Sequence, residues 1–161
     1  MMDSAPPHCL VMERLCFHLS IPAVDLEATR RFYVDGLGCR PGRASPEALI
    51  LDLGGHQLVV QRLRPGPLEP SQPGIYPRHF GLVFETHDAW KALLDRVRSA
   101  GLSFAVDPKI RFEGDRLEHH TFFLNDPSGN WLEFKVYSDP EAILGCQDQA
   151  VVGDAELRSS S

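Results

Sequence analysis

His18, His79 and Glu133 are the residues of this 161-residue chain whose types and settings point most directly to chemistry. His18 sits in the short apolar run 15–21, His79 opens His79-Phe80-Gly81-Leu82, and Glu133 lies inside Trp131-Leu132-Glu133-Phe134-Lys135. A carboxylate between apolar neighbours is costly to bury unless it is paired or bound to a metal. Two imidazoles and one carboxylate make the facial donor set of an open divalent-metal site, Fe(II) foremost, with Zn, Ni or Mn also compatible. The plainer alternative is that each histidine is a structural strand residue. Glu133, alternating with Trp131 and Lys135, would then face solvent from an edge strand. Position favours the metal reading, because both histidines fall at corresponding points of two similar halves.

Those halves are separated by residues 65–77, where Pro65, Pro67, Pro70, Pro73 and Pro77 fix φ and remove backbone donors. Neither a helix nor a central strand forms there, so the segment reads as an extended linker between a first module, 15–64, and a second, 78–137. Residues 1–14 and 138–161 flank them as a loose segment and an extension with a ragged end. The first module opens with a strand over 15–21. A helix follows, N-capped by Asp25, with Leu26, Thr29, Phe32 and Tyr33 at helical spacing and Gly36 or Gly38 as its stop. Runs at 48–53 and 57–63 are joined by Gly54-Gly55-His56, a hairpin signal. The second module repeats the order. It has a strand over 79–85, a helix from about Asp88 to Gly101, and strands at 103–106, 119–124 and 131–137. The last two are linked by the turn-forming Asn125-Asp126-Pro127-Ser128-Gly129-Asn130. Strand, helix and three strands, twice over, make an α+β chain of two βαβββ modules.

The residues also resemble a family. Phe17-His18-Leu19, Asp25-Leu26-Glu27-Ala28, Phe32-Tyr33 and Leu37-Gly38 look like the first module of the vicinal oxygen chelate superfamily. Arg78-His79-Phe80-Gly81-Leu82 and Asp126-Pro127-Ser128-Gly129-Asn130-Trp131-Leu132-Glu133-Phe134 look like its second module. That group includes glyoxalase I, extradiol dioxygenases, fosfomycin-resistance transferases and bleomycin-binding proteins. The resemblance spans 15–137. It implies one domain of paired βαβββ modules whose curved mixed sheets surround a metal cleft, with ligands on the first and last strands, matching His18, His79 and Glu133. Glyoxalase I carries a further carboxylate on the last strand of its first module. Here that strand is Gln57-Leu58-Val59-Val60-Gln61, the matching position is Val59, and Gln61 is a weak substitute. A three-ligand site leaves positions open for a bidentate substrate plus O₂ or water.

Such a site needs a proton acceptor and an anchor for substrate charge. His119 and His120 are adjacent in a strand, so only one enters the cleft, and that one is the candidate acid or base. Arg111 and Arg116 either anchor an anionic substrate or are solvated loop charges. Trp131, Lys135 and Tyr137 share the face of Glu133 and are candidates to line the pocket, with Gln61 opposite. Cys16, two residues from His18 on the same face, reads as a thiolate ligand or nucleophile or, more simply, as buried filler.

The composition narrows the remaining classes. A net charge of −6, with seven histidines counted neutral, offers no basic face for nucleic acid. No apolar run reaches membrane-spanning length, and 1–14 lacks the pattern of a secretory signal. Four cysteines without a CxxC pair suggest a reduced cytoplasm. Glycine-rich phosphate loops and the GxSxG elbow are absent from the sequence. The expectation is a metal-dependent dioxygenase or lyase acting on a small vicinally oxygenated substrate, with a homodimer implied by the family. The alternatives are a non-catalytic binder of drugs or aromatics and a fosfomycin-type thiol transferase.

Overall fold

The computed structural model describes residues 15–66 and 72–153, so the expectations for 1–14 and for the end of the C-terminal extension lie outside the described residues. Two four-stranded mixed sheets carry the fold, in the paired βαβββ arrangement. The first module comprises β1 (His18–Ala23), α1 (Leu26–Arg30), β2 (Arg40–Ala44), β3 (Ala48–Leu53) and β4 (His56–Arg62). The second comprises β5 (Phe80–Phe84), α2 (His87–Ser99), β6 (Phe104–Arg111), β7 (His119–Asn125) and β8 (Trp131–Tyr137). The sheet orders are β1-β4-β3-β2 and β5-β8-β7-β6, so the two modules share one topology, with a parallel pair (β1·β4, β5·β8) in each.

Alternation assigns the faces. Ile21 and Ala23 of β1, Leu58 and Val60 of β4, Phe122 and Leu124 of β7, and Leu132, Phe134 and Val136 of β8 all point to the helices. They join one buried cluster that spans both modules. Trp90, Leu94 and Val97 seal it from α2, and the Trp90 indole donates to the Phe134 carbonyl at 2.8 Å. The opposite faces, with His18 on one sheet and Glu133 on the other, lie away from this core.

Asp25 caps α1 as its spacing predicts, its carboxylate accepting from the backbone N–H of Glu27 and Ala28 at 2.9 and 3.0 Å. Beyond Arg30 the helix widens into a π-helical stretch, Arg31–Gly36, which buries both Phe32 and Tyr33. Simple helical spacing did not anticipate that change. Strand β2 has no apolar signal because all five of its residues are exposed. Strand β6 runs well past the expected 103–106, with its register interrupted between Val106 and Lys109. Arg111 is therefore the last residue of a strand, opposite His119, and not a loop charge. The first strand begins at His18, so Cys16 lies before it and is exposed, donating to the Gly55 carbonyl at 3.5 Å; it is not buried filler.

The modules are locked by directed bonds as well as packing. Tyr33 donates to Asp126 at 2.9 Å, Asn130 to the Pro22 carbonyl at 3.0 Å, and the Val24 N–H to the Ser128 hydroxyl at 2.9 Å. Arg96 reaches back from α2 to the carbonyls of Asp35 and Gly36 at 3.1 Å each. Among the described residues no helix is long and apolar enough to cross a membrane.

Candidate metal centre

Glu133 sits mid-strand in β8, on the face opposite the core, and is only 6% exposed. Its partner strand β5 presents Gly81 directly across from it. The two backbones approach so closely that a Cβ on Gly81 would stand 1.6 Å from the Glu133 carbonyl oxygen. Only glycine fits there.

The carboxylate is held from both sides. Thr121 on β7 donates to Oε1 at 2.8 Å, and His79 Nε2 lies 3.2 Å from Oε2, with the Lys135 ammonium 3.5 Å away. Burial alone pushes the Glu133 carboxyl up, but His79, Lys135 and Thr121 together outweigh it and hold it down at about 2. The same contact with Glu133 raises His79, against the effect of its partial burial.

His79 is oriented by the proline-rich segment. Its Nδ1 donates to the Ile75 carbonyl at 2.6 Å, and Ile75 is itself buried. The Gln72 side chain braces this turn, donating to the carbonyls of Gly74 and Arg78 at 2.5 and 2.9 Å and accepting from the Arg78 N–H at 2.9 Å. Because a carbonyl only accepts, Nδ1 carries a proton and Nε2 is the nitrogen turned to the carboxylate. A ring nitrogen bonded to a carbonyl, with the other beside a pinned carboxylate, is the arrangement that presents a histidine to a metal. The donor set therefore fits two of the expected ligands.

The third is elsewhere. His18 lies on the open face of the first sheet, exposed, with Nδ1 donating to Gln57 Oε1 at 2.7 Å across the β1·β4 pair. With Nδ1 carrying its proton toward Gln57, Nε2 is the nitrogen that holds the lone pair in the neutral ring. Among the described residues no three histidines, cysteines or acids converge on one point, so a single chain does not bring His18 to His79 and Glu133.

A cavity of about 450 Å³ opens over the pair. His79, Glu133, Arg111, His119, Lys135 and Tyr137 line it. His119 is buried, its ring 4.8 Å from that of Tyr137, and its Nδ1 donates to the Leu117 carbonyl at 2.9 Å, leaving Nε2 basic. Burial lowers its pKa, reinforced by the charges of Lys135 and Arg111. His120 points the other way, against His87 and Trp90 with ring centroids 4.7 and 5.5 Å apart. Arg116 is exposed and paired to Asp148 at 2.9 Å, outside the cavity lining. Trp131 donates to the Gln72 carbonyl at 3.4 Å, and Gln61 is exposed on the other sheet. Among the described residues, the rest of the cavity wall comes from ones the sequence left unassigned, the extension from Ala142 to Gly153 together with Tyr76, Phe112 and Leu117.

Paired βαβββ modules, with a histidine before β5 and a glutamate on β8, define a vicinal oxygen chelate scaffold. The chain belongs to the Glyoxalase/Bleomycin resistance protein/Dioxygenase superfamily, whose family model matches residues 16–134. It is similar to a glyoxalase/bleomycin resistance protein/dioxygenase from Alicyclobacillus acidocaldarius at 43% identity and a TM-score of 0.72, covering 80% of this chain and 95% of that one. It shares its fold with the fosfomycin resistance protein FosX of Listeria monocytogenes (13% identity, TM-score 0.61, 82% and 100% coverage). The same holds for a lactoylglutathione lyase from Agrobacterium tumefaciens (16%, 0.57, 78% and 95%). No curated protein sequence matches the chain.

Proposed function

We propose that the protein is a divalent-metal-dependent enzyme of the vicinal oxygen chelate type, most like the extradiol-dioxygenase-like members, acting on a small vicinally oxygenated substrate. The observation that carries this reading is the Ile75–His79–Glu133–Thr121 chain, which fixes the ring tautomer and the carboxylate at once. His79 and Glu133 of one protomer would hold the ion together with His18 from a second copy, since one chain does not gather all three. Fe(II) is the favoured ion, with Zn, Ni or Mn compatible with the same donors. When bound, the ion supplies Lewis acidity that lowers the pKa of vicinal substrate oxygens and spreads their negative charge.

The chain's own groups do the rest. His119, held neutral by burial and with Nε2 unprotonated, accepts a substrate proton. Arg111 and Lys135, both on the cavity lining, draw and orient negative charge. Elemental analysis is the test. We expect about one divalent ion per chain in the wild type and loss of most of it in His79→Ala and in Glu133→Ala. Full occupancy in both variants defeats the ligand set. Turnover of a catechol panel by the Fe(II)-loaded protein in O₂ then separates an enzyme from a binder.

A second reading, a small-molecule binding protein without catalysis, draws on the apolar walls that the extension gives the cavity. Tight ligand binding with no turnover would favour it.

A further inference from the structure

Residues 72–79 belong to no helix or strand, so no helical or sheet ladder fixes their backbone. Pro73 and Pro77 also lack the N–H that such a ladder would use. Yet the Ile75 carbonyl in this segment meets His79 Nδ1 at 2.6 Å, and that bond turns Nε2 toward Glu133. The buried Ile75 side chain anchors one point of the turn, but the direction of its carbonyl needs another. Packing of the ring does not supply it. His79 meets Phe123 edge-to-face with centroids 5.4 Å apart, a contact that a half-turn of the imidazole would preserve while moving both nitrogens.

The Gln72 side chain is placed to supply it. Its Nε2 donates to the Gly74 and Arg78 carbonyls at 2.5 and 2.9 Å, and its Oε1 accepts from the Arg78 N–H at 2.9 Å. Both amide hydrogens and the amide oxygen are thus engaged within one turn. The exchange with Arg78 copies a backbone pair of a sheet, one bond given and one taken by the same residue. Gly74 precedes Ile75 and Arg78 precedes His79, so the amide pins the residue in front of each partner in the Ile75–His79 bond. Gln72 is itself tied to β8, where the Trp131 indole donates to its carbonyl at 3.4 Å. Trp131 lies two residues before Glu133. One strand therefore carries the carboxylate and also tethers the turn that aims the histidine.

We propose that Gln72 is the positioning residue of His79: its amide locks the turn that carries the Ile75 carbonyl, and so fixes the proton on Nδ1 and the direction of Nε2. That the lock serves a metal rests on the proposed function; the lock itself is a property of the metal-free chain.

NMR of the full-length, nitrogen-15-labelled protein in chelator tests the lock. The His79 Nδ1–H should appear as a slowly exchanging low-field signal, assigned by its loss in His79→Gln. Gln72→Met keeps the length of the side chain and removes all three bonds. In that variant the signal should exchange at least about tenfold faster, the factor expected when several bonds of the turn are lost together. Gln72→Glu keeps the acceptor, loses both donors and sets a carboxylate against two carbonyls, so it should behave alike. Gln72 is only half-buried, and a urea midpoint for each variant confirms that it folds. Competition with a chelator for Zn(II) should then show affinity weakened roughly tenfold in both variants at unchanged stoichiometry. A missing signal in the wild type, or wild-type exchange in the two Gln72 variants, overturns the proposal even where the urea midpoint falls. A merely structural role would move the midpoint and leave the ring alone. Loss of the signal with full Zn(II) affinity overturns the claim that the lock serves the site. A wild-type protein that shows the locked proton yet takes up no ion removes the proposed function and leaves the role of Gln72 standing.

Discussion

Val59 stands opposite Ser20 in the first sheet just as Glu133 stands opposite Gly81 in the second. Aligning His18 with His79 puts Ser20 on Gly81 and, through the two parallel pairs, Val59 on Glu133. The first module therefore carries an aliphatic side chain where the second carries its buried carboxylate, and the sequence expectation for Val59 holds in the register. A carboxylate restored there should act as a further ligand if the open face of β4 approaches the ion. We expect Val59→Glu to tighten metal binding by roughly an order of magnitude, about 1.4 kcal/mol, in a competition titration with a chelator. Unchanged affinity would place β4 away from the ion.

If His18 reaches the site of a second copy, complementation follows. His18→Ala and His79→Ala homodimers each lack a ligand at both sites. Their heterodimer has one doubly damaged site and one intact site, because the intact ligands come from different chains. After subunit exchange, random mixing should restore metal to about a quarter of wild-type occupancy, from little in either parent. No recovery, despite exchange shown by mass spectrometry of differently tagged chains, would mean that His18 does not complete the site across an interface.

The metal-free pair also predicts a pH profile. Glu133 is depressed from 4.5 to about 2 on folding, so its contribution to stability is present above 4.5 and lost as pH falls toward 2. His79 is raised above 6.5, so its contribution is full below 6.5 and lost as pH rises through its folded value. The two overlap between 4.5 and 6.5. The difference in Tm between wild type and Glu133→Gln, both in chelator, should be largest in that window and shrink on either side. A difference that grows steadily up to pH 9 would contradict the pairing.

Much of this was legible from residue order, and what escaped has physical reasons. Strands β3 and β8 and the cap at Asp25 declare themselves through alternation and capping chemistry, which are local. Strand β2, Arg40-Pro41-Gly42-Arg43-Ala44, is exposed throughout and exists only because β3 pairs with it, so no apolar pattern announces it. His79 and Glu133 could be read from composition against an apolar background. Their orientation could not, because it depends on Ile75 in a segment whose prolines suggested a mere linker. Period-two alternation placed His119 and His120 on opposite faces, yet it cannot say which face holds the core. Trp90, packed edge-to-face against His120, decides that. The apolar wall from Ile143 to Val152 lacks any periodicity, since its residues serve a cavity and not a sheet or helix.

The turn before β8 shows how motif and architecture meet. Asp126 is buried, and its Oδ1 accepts from the backbone N–H of Ser128 and Asn130 at 2.9 Å each. Its Oδ2 accepts from Asn130 Nδ2 at 2.7 Å and from the Tyr33 hydroxyl at 2.9 Å, a contact that crosses between modules. Burial and the neighbouring carboxylate push the Tyr33 phenol well above its ordinary range, so it stays a donor at any working pH. One carboxylate thus closes the Asp126–Asn130 turn that launches Glu133 and also holds the first module's helix. Tyr33→Phe should cost about 1–2 kcal/mol, since it removes one donor and leaves the turn closed. Asp126→Ala strips several buried donors of their acceptor and should cost on the order of 3 kcal/mol or more, with metal uptake falling as the start of β8 loosens. Urea denaturation at fixed pH measures both. Equal costs would mean that the inter-module bond, not the turn, carries the stabilisation.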